Sequence, residues 1–144
     1  MSWRSIIGLN PLLICLKGDI FMTRAAIIRC EKNENQCPLT SCLNCLLENK
    51  EGFAAYSDCK PAGIFTCRCP GDNISDLAAI LKAKGADVIH FCTCAFSKKT
   101  DHGWTTATGG FCDHLDEIVS RIHEKTGLPV IKGTAHLPKG YKIP

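Results

Sequence analysis

Short apolar runs, too brief for helices, alternate along most of this chain with longer stretches of helical period, and that alternation restricts the fold more than any other feature. Ala25-Ala26-Ile27-Ile28-Arg29 is the first such run, and its continuous apolarity is that of a strand buried on both faces. Ala62-Gly63-Ile64-Phe65-Thr66, Asp87-Val88-Ile89-His90-Phe91 and Pro129-Val130-Ile131-Lys132-Gly133 read the same way. Between them, Ile74 to Lys84 carries apolar residues at 74, 77, 78, 80 and 81 and stops at Gly85. Asp113 to Thr126 sets Leu115, Ile118, Val119 and Ile122 on one face and stops at Gly127. A less regular helical region covers about Leu43 to Tyr56, with a break near Gly52. Strand and helix in alternation predict an α/β fold: a small, open, mainly parallel sheet of about four or five strands with helices on both faces.

A chain of 144 residues buries enough surface to fold as one domain without covalent staples. Charged residues are 22% of the chain and mean hydropathy is +0.02, which excludes disordered, collagen-like and polytopic membrane chains. The net charge of +3 is too small and too scattered to predict a nucleic-acid partner. No Ser/His/Asp set, carboxylate pair or phosphate-binding glycine loop supports hydrolase, kinase or nucleotide-cofactor chemistry.

Residues 1–21 differ in character from the rest. Ile6 to Leu16 is apolar, yet Pro11 interrupts it, no small-x-small cleavage site follows, and the run is shorter than the about 20 residues of a membrane span. Lys17-Gly18-Asp19 back-translates to a good bacterial ribosome-binding sequence a short distance before Met22. The expectation is therefore a leader over 1–21, untranslated or disordered, and a single domain over 23–144.

The chain holds 11 cysteines. An odd number in a domain with its own core and no convincing export signal predicts the reducing cytoplasm, where thiols bind metals or do redox chemistry. Their positions are informative. In open parallel sheets the ligand site lies beyond the carboxyl ends of the strands. Cys30 follows the first predicted strand, Cys67 and Cys69 the second, Cys92 and Cys94 end the third, and His136 lies past the fourth. Cys112 and His114 open the last helix, where the dipole favours a thiolate. The candidate site is a cysteine-rich edge at the strand ends.

Spacing narrows the ligand class. Cys37, Cys42 and Cys45 form C-x4-C-x2-C, the spacing of plant-type [2Fe–2S] ferredoxins, with Cys59 or Cys67 standing in for the distant fourth ligand. A buried position on a helix face is the alternative reading of Cys42 or Cys45. Cys67-Arg68-Cys69 and Cys92-Thr93-Cys94 are C-x-C pairs, of which Cys94 is favoured over Cys92 as the member nearer the loop. His90, His102 and His123 read as structural. Ser97 to Gly110, with Trp104, is either a lid over the edge or a surface loop.

The ordered set of Cys30 after Ile-Ile-Arg, Cys37-Pro, a cysteine pair followed by Pro70-Gly71, then Cys94 and Cys112-x-His114 before a helix resembles the CGGC-domain family of metal-binding proteins. The resemblance spans nearly all of residues 23–144 and extends to a last strand leading to a His, here His136. The family's C-G-G-C is one residue shorter here, Cys67-Arg68-Cys69, so Cys69, which keeps the following Pro-Gly, carries over more firmly than Cys67. The resemblance implies metal binding and leaves the ion open.

Cys30, Cys37, Cys42, Cys45, Cys67, Cys69, Cys94, Cys112 and His114 are thus the candidate metal ligands. So many thiols exceed one zinc site, which would use four ligands, and predict an iron–sulfur cluster working in electron transfer, sensing or cluster handling with a redox protein partner. Zinc in a structural or partner-docking module is the alternative. A thiol–disulfide enzyme using Cys67 and Cys69 is a third reading, weakened by the strain of C-x-C disulfides. Whether the protein is an enzyme, and its oligomeric state, are not legible. Neither membrane nor nucleic acid is expected as a partner.

Overall fold

The computed structural model describes residues 22–143; the expected leader and Cys15 lie outside them. Strand β1 (Met22–Cys30) leads through a short 3-10 turn into helix α1 (Thr40–Glu48). Strand β2 (Asp58–Cys67), helix α2 (Ile74–Ala83) and strand β3 (Val88–Phe91) follow. A small antiparallel hairpin, β4 (Lys98–Thr100) and β5 (Gly103–Thr105), precedes helix α3 (Leu115–Thr126) and strand β6 (Val130–Lys132). Among the described residues the main sheet has four strands in the order β2-β1-β3-β6, with every neighbouring pair parallel.

The continuous apolar run in β1 is explained by burial on both faces. Ala26 and Ile28 pack with Ile74, Ala78 and Leu81 of α2 and Ile118 and Ile122 of α3. Ala25 and Ile27 pack on the other face with Leu46 of α1 and Phe53. Each fully buried Ile contributes about 1.5–3 kcal/mol relative to exposure. The predicted helices on both faces are therefore present, two on one side and α1 on the other.

Pro61 sits on β2, an edge strand, where its missing N–H costs little; the register slips there, Ala25 pairing with Pro61 and Ala26 with Gly63. The third helical region differs in its bounds from the sequence reading. It starts at Thr40 and ends at Glu48, where Asn49 turns left-handed (φ 55°) and its N–H reaches the Cys45 and Leu46 carbonyls. The break therefore falls at Asn49, ahead of the expected Gly52, which lies in a 3-10 turn (Glu51–Phe53); glycine is required there because a Cβ would lie 2.4 Å from the Gly133 carbonyl oxygen. Thus the chain after α1 presses backbone to backbone against the end of β6. Helix α3 begins two residues later than predicted, leaving Cys112 in the preceding loop, and closes at Gly127 (φ 73°) with an N–H bond of 2.7 Å to the His123 carbonyl. Ser97 to Gly110 contains the hairpin, whose Trp104 ring stacks on His136 at 5.2 Å and 4°.

Candidate functional site

Side-chain alternation along a strand sends successive residues to opposite faces, and the sheet sorts its terminal cysteines accordingly. Cys30 continues the Ala26 and Ile28 series toward α2 and α3, and its register partner is Cys67. Cys92 continues the opposite series, among residues packed around α1. The carboxyl edge therefore carries two groups of thiols, one on each face. The ten cysteines among the described residues are all free.

The first group is Cys30, Cys67, Cys69 and Cys112. Burial, then the Cys112, Cys30 and Cys69 sulfurs, pushes the Cys67 thiol up to about 11. Burial is also the largest cause raising Cys30, to which Cys69 and Cys112 add, and the largest raising Cys112, to which Cys69 adds. The four are thus close enough to act on one another. Their loops are fastened together. The Glu31 carboxylate accepts the Cys69 N–H, and Arg68 forms a forked pair with Glu34 at 2.9 and 3.1 Å. Lys32 Nζ donates to the Phe111 carbonyl at 3.2 Å, and the Cys112 N–H donates to Ala95 at 2.9 Å. Gly71 (φ 81°) lets the chain turn over Cys67, whose Sγ would be 3.2 Å from any Cβ at that position. His114 Nε2 lies 3.2 Å from the Pro70 carbonyl, so the side chain is engaged with the Cys69 loop.

The second group is Cys42, Cys92 and Cys94, with Cys37 beside them. Cys42 and Cys92 Sγ atoms are 4.0 Å apart, and Asn33 Nδ2 donates to Cys94 Sγ at 3.2 Å. The Leu39 N–H donates to Cys37 Sγ at 3.3 Å. The bond with Cys92, and then that with Thr134, holds the Cys42 thiol below its ordinary range, while Cys92 is raised by its contacts with Cys42 and Cys94. A cavity of 210 Å³ opens onto Cys42, Cys92 and Cys94, with Trp104 and His136 at its wall. Cys45, one helical turn beyond Cys42, is partly buried and raised by burial, Glu51 and Cys42.

Cys59 does not join either group. It pairs with Thr23 at the opening end of β2, about 26 Å along the strand from Cys67, and is buried in the α1-side core. His90 is structural, as read from the sequence. Its Nδ1 faces the Gly133 carbonyl at 2.8 Å and so carries the proton, leaving Nε2 to accept from the Tyr56 hydroxyl at 2.6 Å. Burial lowers its pKa to about 4. Sequence reasoning set Cys92 behind Cys94 and passed over Asn33 and Thr134. The strand alternation hinted at the face of Cys92, but its pairing with Cys42 depends on how α1 docks.

The donors suit a thiophilic metal in kind and number, four thiols in the first group alone. Their spacing is looser: among the described residues no three His, Cys, Asp or Glu side chains gather closely enough to hold an ion. No described helix is long and apolar enough to cross a membrane.

A parallel α/β sheet whose strand ends present free thiols on both faces defines a cysteine-rich α/β domain with a site at the carboxyl edge. The family model of the CGGC domain matches residues 24–135, and the chain belongs to that family. Comparison with curated proteins and with solved structures gave no match. Membership and the abundance of thiols together point to a metal-binding role.

Proposed function

We propose that the protein binds an iron–sulfur cluster through Cys30, Cys67, Cys69 and Cys112, with His114 beside the site, and works in electron transfer, sensing or cluster handling with a redox protein partner in the cytoplasm. The observation that supports this reading is that four thiols from four separate places in the chain, the ends of β1 and β2, the loop after β2 and the loop before α3, lie near enough at the carboxyl edge to act electrostatically on Cys67 or on one another. Four cysteines make the usual ligand set of a cluster, and clusters accept ligands from dispersed loops. A closed four-cysteine zinc site also uses four thiolates, but typically from C-x2-4-C pairs, and this group contains none.

Bound, a cluster supplies one-electron transfer. The chain's own contribution is to hold the loops. Glu31 secures the Cys69 amide, the Arg68–Glu34 pair ties that loop to the segment after β1, and Lys32 ties the segment to Phe111 beside Cys112. Cys30 and Cys67 would hold a cluster from the strand ends, and Cys69 and Cys112 from the adjoining loops.

Protein purified without oxygen is expected to be brown, with broad absorption near ~400 nm from iron–thiolate charge transfer, to contain iron and sulfide, and to bleach with dithionite. Colourless protein with stoichiometric zinc would replace this reading by the zinc module.

A further inference from the structure

On the opposite face of the sheet, the second thiol group has features that metal binding at the first does not use. Cys42 and Cys92 are 50 residues apart in sequence, yet their sulfurs lie 4.0 Å from each other and both are free. A disulfide needs sulfurs about 2 Å apart, so the pair stands about 2 Å short of bonding distance. Both are nearly closed to bulk solvent, Cys42 at 8% and Cys92 at 1% exposure, but both line the 210 Å³ cavity. A protein or large disulfide cannot reach buried sulfurs; a molecule of a few atoms entering the cavity can.

The polar groups around Cys42 have a defined direction. Thr134 Oγ1 lies 3.1 Å from Cys42 Sγ and accepts the Thr93 N–H at 3.3 Å, while the Thr134 N–H donates to Thr93 Oγ1 at 3.1 Å. This reciprocal lock leaves the Thr134 hydroxyl proton free to point at the sulfur. Arg29 is fixed nearby by bonds to the Asn33 and Cys37 carbonyls. Its positive field favours negative charge on Cys42 and on Cys94. A sulfur that receives a hydrogen bond beside a cation, with a second thiol in reach, has the parts of a nucleophile and its resolving partner.

We propose that Cys42 and Cys92 form a redox-active dithiol that reduces a small hydroperoxide admitted through this cavity. The Cys42 thiolate attacks one peroxide oxygen. The O–O bond breaks, the other oxygen leaves as the alcohol, or as water from hydrogen peroxide, after taking a proton, and Cys42 becomes a sulfenic acid. The Cys92 sulfur then displaces the sulfenic hydroxyl, which departs as water with the Cys92 proton, and the disulfide forms. Two thiols lose two electrons and two protons, and the peroxide gains them as alcohol and water. A dithiol small enough to enter the same cavity would reduce the disulfide, itself becoming a disulfide, and return the pair to its starting state.

The test is to treat the reduced full-length protein with equimolar hydrogen peroxide and map its cross-links by mass spectrometry of unreduced peptides. A Cys42–Cys92 disulfide and the loss of two thiols per chain are expected. Cys92→Ser is expected to stop at a Cys42 sulfenic acid, trapped by a cyclic diketone. Thr134→Val is expected to slow disulfide formation about 10-fold, the value of one hydrogen bond to a charged group. Cys69→Ser, which removes a proposed ligand on the other face, is expected to give the same cross-link. That variant separates the two readings: loss of metal with the cross-link retained supports the dithiol whether or not the metal is iron, whereas loss of the cross-link assigns the chemistry to the metal. Cys42 and Cys92 remaining open to alkylation while other thiols oxidise, or undiminished disulfide formation in Cys92→Ser, would overturn the proposal.

Discussion

Cys30 and Cys67 are register partners at the ends of neighbouring parallel strands, and their side chains leave the same face of the sheet. Each is placed by hydrogen-bonded backbone rather than by a loop, which gives the first thiol group two fixed members. Cys69 and Cys112, on loops, are the adjustable members.

Metal content is expected to follow this division. Cys30→Ser, Cys67→Ser, Cys69→Ser and Cys112→Ser should each lose most of the metal, because a hydroxyl replaces a soft thiolate poorly. Cys59→Ser should keep it. Glu31→Gln, which weakens the hold on the Cys69 amide, should lower affinity about 10-fold, as loss of a supporting contact usually does. Elemental analysis of each purified variant decides. Full metal in three or more of the four serine variants would remove this group from consideration.

Metal removal should loosen loops and spare the fold. The two cores that flank the sheet are built from apolar contacts, in contrast to small domains folded by their metal. Apo-protein should keep near-native far-UV circular dichroism while amides in residues 67–72 and 94–114 exchange faster. Collapse of the dichroism on chelation would show that metal holds the sheet together.

Stability should fall with acid through His90. Its folded-state pKa of about 4 lies below the ordinary 6.5, so the neutral ring is favoured in the fold and the unfolded chain takes the proton first. The contribution is complete above about pH 6.5 and is lost as pH falls toward 4, amounting to roughly 3 kcal/mol. Urea unfolding of wild type and His90→Asn across this range should show a steeper decline in wild type, and equal slopes would refute the assignment.

Gly52→Ala should destabilise by about 1–3 kcal/mol. The added carbon would meet backbone of Gly133 and Thr134 at 2.4 to 2.9 Å, atoms that cannot rotate away. A thermal midpoint equal to that of wild type would show that this junction yields.

The four sheet strands and two of the helices were legible because burial on both faces leaves unbroken apolar runs, and because Gly85 and Gly127 end the helical periods. Helix α1 was placed three residues late. Its start follows Leu39, a left-handed residue (φ 68°) held in the core, which local propensity does not announce. The hairpin was missed because Lys98–Thr100 is exposed throughout, so it has no buried face to write a period. At the edge, the strand-end cysteines could be read from chain order. The contact between Cys42 and Cys92 could not, since it requires α1 to dock against the far side of β3.

The sheet is also a partition between two stocks of the same element. Oxidation or alkylation followed only as a total thiol count would average two populations with different neighbours and different access. The reactivity of this protein is therefore a property of sidedness, and it has to be followed one cysteine at a time.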